Sequence, residues 1–492
     1  MLVDVSALHK VQASMTGEMR TTKIVATLGP AADGPGTLEK LFEAGVDVFR
    51  LNASHGSQAE HAGRIRNVRE LEVRTGRHVG ILLDLQGPKI RLGKFRNGGC
   101  VLEDGARFTI TTVETEGNDE IASTTYADLA RDVKPDDTIL LADGSVRLRV
   151  LSSDGVAATC EVVHGGPVSD RKGINLPGVA VSTPSLSKKD IADAHFGVEQ
   201  GVDFFALSFV RQAKDVLRLR HLLEEVDATQ LIVAKIEKPE GYQNLDSIIE
   251  ESDGLMVARG DLGVEMALEK VPAIQKDIIT RGRQKGKFVI TATQMLESMI
   301  ENPVPTRAEV SDIANAIYDG TSAIMLSAET SAGKFPIEAV RMMARIAQEA
   351  DGGVRDVGFA AASLATGFST PHIIADAAFY AARSADVRAI AVGTSTGAMA
   401  RLLARQRPPV PIYAFTTDVR VVRQLCIIHG VTPILVEPYH STDDMLQNME
   451  RILVESAKVK SGDGVIFVAG QPVNQRGSTN MLKLHRVGGG KA

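Results

Sequence analysis

The sequence predicts an α/β protein with three parts: a (β/α)8 TIM barrel, an all-β lid domain inserted after the third barrel strand, and a C-terminal doubly wound α/β domain. Three observations predict it: eight apolar strand patterns alternating with helical patterns, a change of pattern after the third strand, and a second α/β series after about residue 351. Continuous β-branched runs with polar ends are typical of parallel strands buried on both faces. Eight such units are the number that closes this kind of barrel.

The eight strand candidates have their polar residues where a barrel keeps its catalytic groups. In chain order they are TKIVATLG, VDVFRLNASH, VGILLDLQG, DFFALSFV, LIVAKIE, GLMVARGD, KFVITATQ and SAIMLSAET. Catalytic residues of such barrels lie at the C-terminal ends of the strands. The polar residues at those ends are Arg50, Asn52, Ser54, Asp84, Lys235, Glu237, Asp261, Thr293, Ser327 and Glu329. This coincidence predicts an active site at that end of the barrel.

The pattern changes between the third and fourth strands. Runs such as ARFTITTVE, DTILLADGSVRLRVL and AATCEVVHGG alternate polar and apolar residues and are broken by Gly, Asn and Asp, which indicates antiparallel hairpins. A β module inserted in a βα loop would lie above the active face and act as a lid. We expect an N-terminal extension at 1–19, the barrel at 20–88 and 185–352, the lid at 89–184 and a regulatory α/β domain at 353–492.

The composition is that of an ordinary globular protein, with 44% hydrophobic residues, 24% charged residues and a formal net charge of -6. This mildly acidic balance argues against bulk nucleic-acid binding. The three cysteines are far apart and form no CxxC pair, which suits a reducing cytosol. No signal peptide and no membrane-spanning apolar run can be identified, so we expect a cytoplasmic protein that binds neither nucleic acid nor membranes.

Arg50, Asn52 and Ser54 occupy alternate positions of one strand. Side chains on a strand alternate between its faces, so these three share one face. Three polar groups there indicate an anion or cation site in which Arg50 grips a phosphate. A satisfied polar network at the strand end is the alternative.

Two carboxylates at adjacent strand ends indicate a magnesium site. Glu237 lies two residues after Lys235, and Asp261 follows Gly260 at the start of a predicted helix. Mg²⁺ keeps water and substrate oxygens beside one or two carboxylates, so this pair suits it. The alternatives are a solvated salt bridge between Lys235 and Glu237 and two acids that cap helices.

Other polar residues carry weaker signals. Thr293, before a predicted helix QMLESMI, is more often an N-cap than a catalytic group when taken alone. Ser327 and Glu329 share a face, and a structural pair that supports the site is the favoured interpretation. Arg171 and Lys172 in the lid are a surface charge pair unless the lid closes, in which case Lys172 would reach a nucleotide phosphate.

Taken together, these motifs resemble the pyruvate kinase family. The resemblance rests on TKIVATLGP, RLNASHG, DLQGPKIR, KGINLPG, KIEKPEG, ARGDLGVE, ATQMLESM, PTRAEVSDIANAIYDGTSAIMLSAET and FPIEAV, and covers nearly the whole chain after Arg20. It implies transfer of the phosphoryl group of phosphoenolpyruvate to ADP, giving pyruvate and ATP. It also implies that Arg50 binds the substrate phosphate, that Lys235 stabilises charge on the phosphoryl group and enolate, and that Thr293 lies near the methylene that is protonated.

The resemblance further implies the cofactor, the remaining ligands and the assembly. Glu237 and Asp261 would hold Mg²⁺, for which Mn²⁺ could substitute, and the amides of Gly260 and Asp261 would receive the substrate carboxylate. A second Mg²⁺ would travel with ADP. The nucleotide would contact residues of both barrel and lid, namely Asn52, His55, Arg91 and Lys172. The family is expected to form homotetramers.

The stretch LLDLQGPKIR departs from the commoner family pattern, DTKGPEIR, of potassium-dependent relatives. In those relatives the positions matching Asn52, Ser54, Asp84 and Leu85 coordinate K⁺. Here Leu85 replaces a threonine and has no side-chain oxygen for a hard cation, and Lys89 replaces a glutamate. We predict that Lys89 supplies an internal cation beside this remnant site, and that K⁺ is not required.

The C-terminal domain also departs from the family pattern. Its turn TSTGAM lacks the Lys or Arg of relatives that fructose bisphosphate activates. Backbone amides in a strand-to-helix turn can still hold a phosphate, although a plain N-cap is the alternative. By family analogy a second loop also contributes, so we predict a phosphorylated allosteric effector, other than fructose 1,6-bisphosphate, at Thr394, Ser395, Thr396, Gly397, Arg476 and Ser478.

Two other classes of protein compete with this interpretation. A metal-enolate lyase or aldolase would share the carboxylate pair but would need no nucleotide lid, so Arg91 and Lys172 argue against it. A non-catalytic metabolite sensor built on the last domain would not need the set formed by Lys235, Glu237, Asp261 and Thr293.

Overall fold

The computed structural model describes residues 20–179, 181–357, 369–473 and 479–489. They form a closed barrel of parallel strands, a β domain between the third and fourth barrel strands, and a C-terminal five-stranded sheet with helices on both faces. The predicted fold class is therefore confirmed. The predicted N-terminal extension, 1–19, lies outside the described residues.

All eight predicted strands are present in the barrel. They are β1 Lys23–Thr27, β2 Val48–Asn52, β3 Gly80–Asp84, β12 Phe204–Leu207, β13 Leu231–Ile236, β14 Gly254–Ala258, β15 Phe288–Ala292 and β16 Ala323–Leu326. Around the barrel they follow chain order, and β16 closes the ring by pairing with β1. Most of their residues are buried, because helices cover the outer face and side chains fill the interior.

Helices connect these strands and form the outer ring. They are α1 Thr37–Glu43, α2 Gln58–Thr75, α4 Lys188–Glu199, α5 Ala213–Glu224, α6 Pro239–Gln243, α7 Leu245–Glu251, α8 Arg259–Glu265, α9 Val271–Gln284, α10 Arg307–Asp319, α11 Ala328–Ser331 and α12 Pro336–Val357. Three of them begin with a capping box in which a serine or threonine side chain accepts the N3 amide, at Ser57, Ser187 and Thr306. Among the described residues, none of the helices combines the length and apolar character that crossing a bilayer requires.

The predicted helix QMLESMI is not an α-helix in the structure. The segment contains only a short 3-10 helix, Glu297–Ile300, and the α-helix of this barrel unit is α10. The backbone explains the difference, because Thr293 and Gln294 have φ angles of 71° and 53°. Two successive residues in the left-handed region form a sharp turn that a right-handed helix cannot contain.

The inserted domain consists of short strands around its own core. Its elements are β4 Gly99–Leu102, β5 Arg107–Thr111, β6 Ile121–Ser123, α3 Leu129–Asp132, β7 Thr138–Leu141, β8 Val146–Ser153, β9 Ala157–His164, β10 Gly166–Ser169 and β11 Ile174–Asn175. Six strands pair in the order β11-β7-β8-β9-β5-β6, and β10 pairs with β4. Along β8, buried Val146, Leu148 and Val150 alternate with exposed Arg147 and Arg149, as one solvated face requires.

The C-terminal domain is a five-stranded sheet between two helical layers. Its strands are β17 Ala389–Gly393, β18 Ile412–Thr416, β19 Val431–Leu435, β20 Gly464–Gly470 and β21 Thr479–Arg486, and its helices are α13 Thr370–Ser384, α14 Ala398–Ala404, α15 Val419–Leu425 and α16 Thr442–Glu455. The strand order is β19-β18-β17-β20-β21, with only β21 antiparallel to its neighbour. Helix α12 continues past residue 352, where the boundary between barrel and C-terminal domain was expected.

Helix α15 joins the C-terminal domain to the barrel. Leu425 belongs to the same buried cluster as Leu82 and Phe204 of the barrel interior. Beside it, Arg423 forms an ion pair with Glu72 on α2, with Nη2 and Oε2 2.8 Å apart. The contact therefore combines apolar packing with a salt bridge between the two domains.

We predict that Leu425→Ala lowers the free energy of unfolding by about 2–5 kcal/mol, because a buried leucine loses its packing and leaves a cavity. Leu435→Ala is the matched control, since Leu435 is 45% exposed. Its expected effect is within about 0.5 kcal/mol. Urea unfolding monitored by circular dichroism measures both variants, and equal losses would contradict the proposed importance of this contact.

Candidate active site

The C-terminal ends of the barrel strands surround a cavity of about 650 Å³. The predicted site residues that line it are Arg50, Asn52, Ser54, His55, Asp84, Lys89, Lys235, Glu237, Asp261 and Thr293. They come from strands far apart in the sequence and meet because parallel barrel strands end at one rim.

Asp84 lies at the centre of a buried charge network. Its side chain is 2% exposed, and its carboxylate lies 2.7 Å from Arg50 Nη2 and 3.2 Å from Lys235 Nζ. Arg50 Nε donates to the same carboxylate at 2.8 Å, and Arg50 Nη1 donates to Thr27 Oγ1 at 3.0 Å. Burial opposes ionisation, but Lys235 and Arg50 lower the pKa of Asp84 below its ordinary value. Both cations are thus held in place by one charged carboxylate.

Lys235 is held from three sides. Its Nζ lies 2.7 Å from Glu237 Oε1 and donates to Ser208 Oγ at 2.7 Å, in addition to its contact with Asp84. Burial alone would lower the pKa of Lys235, but the carboxylates of Asp84, Glu237 and Asp261 together raise it above its ordinary value. The ammonium therefore stays charged and aligned inside the cavity.

Glu237 and Asp261 are the carboxylates that could hold a metal ion. Burial raises the pKa of Glu237 to about 7, an effect that Lys235 opposes and the nearby Asp261 carboxylate reinforces. Glu237 Oε2 accepts a hydrogen bond from the Phe209 amide at 2.7 Å. The Asp261 carboxylate makes no hydrogen bond to any described residue. Two neighbouring carboxylates that repel each other suit Mg²⁺, which prefers oxygen ligands and completes its shell with water or substrate.

Thr293 and Gly260 are joined by a hydrogen bond across two strand ends. The Gly260 amide donates to Thr293 Oγ1 at 2.7 Å, and the Thr293 hydroxyl donates to the Ala292 carbonyl at 2.5 Å. Thr293 therefore does not act as the N-cap of a following helix. Gly260 and Asp261 are the second and third residues of the short helix α8.

The predicted cation-site residues lie along one wall of the cavity. Asn52 Oδ1 accepts the Ser54 amide at 3.0 Å, which closes a local turn after β2. Leu85 is 1% exposed and belongs to the barrel core, and it also lines the cavity with a side chain that has no oxygen. Lys89 is exposed, and its ammonium makes no hydrogen bond within the described part of the chain. Burial and the positive charges of Lys89, Arg91 and Arg50 lower the pKa of His55.

Arg91 and Lys172 lie where the inserted domain joins the barrel. Arg91 Nη1 donates to the Arg171 carbonyl at 3.0 Å, and Arg91 pairs with Gly173 in a β-bridge. Lys172 is exposed. Neither residue is among the described residues that line the cavity, but the positive charge of Arg91 acts on His55, which does line it.

Thr394, Ser395 and Thr396 of the predicted effector turn line a second cavity of about 440 Å³. Thr394 Oγ1 accepts the Gly397 amide at 3.0 Å, and Gly397 has a φ of 74°. Barrel residues Lys285 and Lys287 also line this cavity. The predicted effector residues Arg476 and Ser478 lie outside the described residues.

Ser208 and Arg259 lie near the site but are not predicted by the sequence patterns. Glu329 is predicted only as a structural residue that supports the site. Ser208, the hydrogen-bond partner of Lys235, follows β12 and could have been found by the same rule of polar strand ends. Arg259 binds the turn after β15 through its guanidinium, which no local pattern indicates. Glu329 is buried and accepts the amides of Ser327 and Leu296 at 2.7 Å and 3.1 Å, which agrees with a structural role.

The site therefore combines two fixed cations with a pair of carboxylates and a hydroxyl. Arg50 and Lys235 can bind an anionic group and stabilise charge that develops on it. Glu237 and Asp261 can hold a divalent cation. This set suits phosphoryl transfer, which needs positioning and electrostatic stabilisation more than covalent catalysis.

Comparisons with known proteins identify the family. "Pyruvate kinase, barrel domain" matches residues 19–340, and "Pyruvate kinase, alpha/beta domain" matches residues 372–485. A pyruvate kinase from Staphylococcus saprophyticus is 45% identical over 96% of this chain and 81% of its own length. One from Corynebacterium glutamicum is 45% identical over 95% of this chain and 98% of its own length.

A solved structure has the same architecture. The crystal structure of a pyruvate kinase from Cryptosporidium parvum superimposes with a TM-score of 0.88 at 36% identity, over 99% of this chain and 98% of that one. These likenesses span both domains and disfavour a lyase, an aldolase or a non-catalytic sensor. The chain belongs to the pyruvate kinase family.

Proposed function

We propose that this enzyme transfers the phosphoryl group of phosphoenolpyruvate to ADP, the final step of glycolysis, and that Arg50 and Lys235 carry the transfer. The observation that supports this proposal is the pair of cations fixed on Asp84 in the main cavity. In the reaction the bond between phosphorus and the enol oxygen breaks, and a bond to the terminal oxygen of ADP forms. The enolate that remains takes a proton at its methylene carbon to give pyruvate.

The proposed roles follow from the position of each group. Arg50 binds the phosphate, and Lys235 stabilises negative charge on the transferring phosphoryl group and then on the enolate. The amides of Gly260 and Asp261 receive the carboxylate, so the Gly260 amide exchanges its present acceptor, Thr293 Oγ1, for the substrate. The Thr293 oxygen thereby loses the Gly260 amide, and the hydroxyl, which still donates to the Ala292 carbonyl, lies beside the methylene that is protonated.

Glu237 and Asp261 are the proposed ligands of Mg²⁺, with Mn²⁺ as a substitute. When bound, the cation neutralises the anionic groups that must approach each other. Before it binds, these carboxylates repel each other, which is one cause of the raised pKa of Glu237. The free carboxylate of Asp261 and the partly engaged Glu237 therefore suit this assignment.

We propose that ADP binds between the barrel and the inserted domain. Asn52 and His55 line the cavity on the barrel side. Arg91 and Lys172 would contact the phosphates after the inserted domain closes, since both lie where it joins the barrel. A second Mg²⁺ would accompany the nucleotide.

We further propose that the enzyme does not require K⁺. Leu85 and Lys89 both line the cavity. Leu85 supplies no side-chain oxygen, whereas Lys89 supplies a positive charge that acts on His55. A fixed ammonium there would supply the positive charge that K⁺ supplies in relatives. Asn52, Ser54 and Asp84 are then the remnant of the cation site.

The proposed regulation and assembly rest on the C-terminal domain and on the family. A phosphorylated effector would bind at the turn of residues 394–397, whose cavity is also lined by Lys285, Lys287 and the acidic Asp253. Arg476 and Ser478 would contribute from the second loop. A homotetramer is proposed from the family alone. A cytoplasmic location agrees with the three cysteines, which are all free thiols.

We predict that Lys235→Met abolishes phosphoryl transfer while the protein stays folded, because the methionine keeps the length but not the charge. A loss of about 100-fold or more in kcat is expected. A coupled assay with phosphoenolpyruvate and ADP measures it, and circular dichroism checks the fold. Lys276→Met is the control, since Lys276 is 60% exposed and forms an ion pair with Asp319 of α10. Full activity of Lys235→Met would show that the assigned role is wrong.

We predict full pyruvate formation in K⁺-free buffer that contains Mg²⁺. Lys89→Ala should lower kcat about tenfold or more, because the site loses a fixed positive charge. Lys94→Ala, which removes another exposed lysine, should leave kcat unchanged. A large, saturable activation of the unmodified enzyme by K⁺ would contradict the proposal.

We predict that at least one sugar phosphate or AMP raises the thermal unfolding midpoint in a concentration-dependent way. Ser395→Asp should abolish the shift, because a carboxylate in the turn repels a phosphate. Ser247→Asp, on the exposed face of α7, is the control. The absence of a shift with every compound tested would count against an effector site.

A further inference from the structure

Arg259 lies behind the wall of the main cavity and binds the turn that carries Thr293. It is the first residue of α8, directly before Gly260 and Asp261. Its side chain is 11% exposed. It is not among the described residues that line the cavity, so any effect on the reaction must pass through its neighbours.

The guanidinium of Arg259 is bonded on both edges. Towards β15, Nε donates to the Ala292 carbonyl at 3.2 Å and Nη2 donates to the Thr293 carbonyl at 2.7 Å. Towards α10, Nη1 donates to Asp312 Oδ1 at 2.8 Å and lies 2.7 Å from Oδ2. The planar fork thus binds two successive carbonyls and one carboxylate at once, which a lysine could not reproduce.

The turn needs such support because its backbone is strained. Thr293 and Gln294 have φ angles of 71° and 53°, which β-branched threonine in particular adopts rarely. Residues persist in such conformations only when their surroundings hold them there. Arg259 binds the carbonyls of Ala292 and Thr293, which lie on either side of the Thr293 Cα. These contacts hold the backbone angles that direct the Thr293 hydroxyl into the cavity.

We propose that Arg259 is a positioning residue for the proton-transfer half of the reaction: it holds the backbone of residues 292–294 and so aims the Thr293 hydroxyl at the substrate methylene. This inference rests on the proposed function and on the role of Thr293 in it. Asp312 binds the other edge of the guanidinium and is therefore a second positioning residue.

Arg259 also links the C-terminal ends of β14 and β15, the two strands that Gly260 and Thr293 follow. Arg259 precedes Gly260, whose amide donates to Thr293 Oγ1. The guanidinium of Arg259 binds backbone carbonyls of the turn that carries Thr293. When the substrate carboxylate takes over the Gly260 amide, the Thr293 hydroxyl loses one partner but its backbone stays anchored by Arg259. The hydroxyl therefore changes partner without a change in the position of the turn.

The test is a double-mutant cycle between Arg259→Lys and Thr293→Val. A misplacement of about 1 Å costs up to roughly 100-fold in rate, so Arg259→Lys should lower kcat about 10- to 100-fold with little change in the KM for phosphoenolpyruvate. Thr293→Val should lower kcat at least as much. The double variant should be no slower than Thr293→Val alone, because Arg259 acts only through that hydroxyl.

A second readout isolates the proton transfer. With Mg²⁺, ATP and pyruvate in D₂O, nuclear magnetic resonance follows exchange of the pyruvate methyl protons. Arg259→Lys should slow this exchange by the same factor as kcat. Arg220→Lys is the matched control, since Arg220 also bonds a carbonyl and a carboxylate, those of Glu251 and Asp253, but away from the turn.

Each outcome separates the proposals. If Arg259→Lys and Thr293→Val multiply in the double variant, or if Arg259→Lys raises KM and leaves kcat unchanged, the positioning role is wrong. If Thr293→Val keeps full kcat, both the positioning role and the assigned role of Thr293 fail. If the unmodified enzyme makes no pyruvate from phosphoenolpyruvate and ADP, the proposed function itself fails.

A variant that removes the outer anchor keeps the test valid if Arg259→Lys does not fold. Asp312→Asn leaves the carbonyl contacts of Arg259 in place but weakens the hold on its outer edge. It should lower kcat by a smaller factor, and this loss should vanish in the Thr293→Val background. A loss from Asp312→Asn that persists in that background would overturn the proposal.

Discussion

Asp84, a buried carboxylate between two cations, is the interaction on which the catalytic face depends. Arg50 and Lys235 come from different strands, and their shared contact with Asp84 compensates two like charges in one low-dielectric cavity. Removing one partner from such a buried group typically costs about 3–5 kcal/mol, because a charge is left uncompensated. The two cations are therefore preorganised for an anionic substrate.

The C-terminal domain and the inserted domain both contact barrel elements that carry this network. Helix α15 packs against the barrel interior, so the C-terminal domain meets the strands that carry the site at their other end. The inserted domain is tied to α8, since Asn175 donates to Glu265 Oε1 at 3.1 Å. The same oxygen lies 3.0 Å from the ammonium of Lys238, the residue after Glu237. Both neighbouring domains thus contact elements that hold site residues.

Much of this arrangement was predictable from local patterns, because each barrel strand is a continuous apolar run with a polar end. Arg50, Asp84, Lys235, Glu237 and Asp261 were found by that rule alone. The rule does not find a residue whose role depends on a contact with a different barrel unit. The contact of Arg259 with the turn after β15 spans two barrel units, and the left-handed turn at Thr293 replaces the helix that the sequence QMLESMI favours.

The sequence by itself determined the barrel, the inserted β domain, the second α/β domain and the family, because periodicity and motifs are local properties of the chain. Only the tertiary structure decided which charges meet. It places Lys235 against Asp84, Glu237 and Ser208, and leaves Arg91 and Lys172 outside the cavity lining. The physical reason is that ion pairs and strained turns depend on distances between segments far apart in sequence, and these distances are set only when the barrel closes.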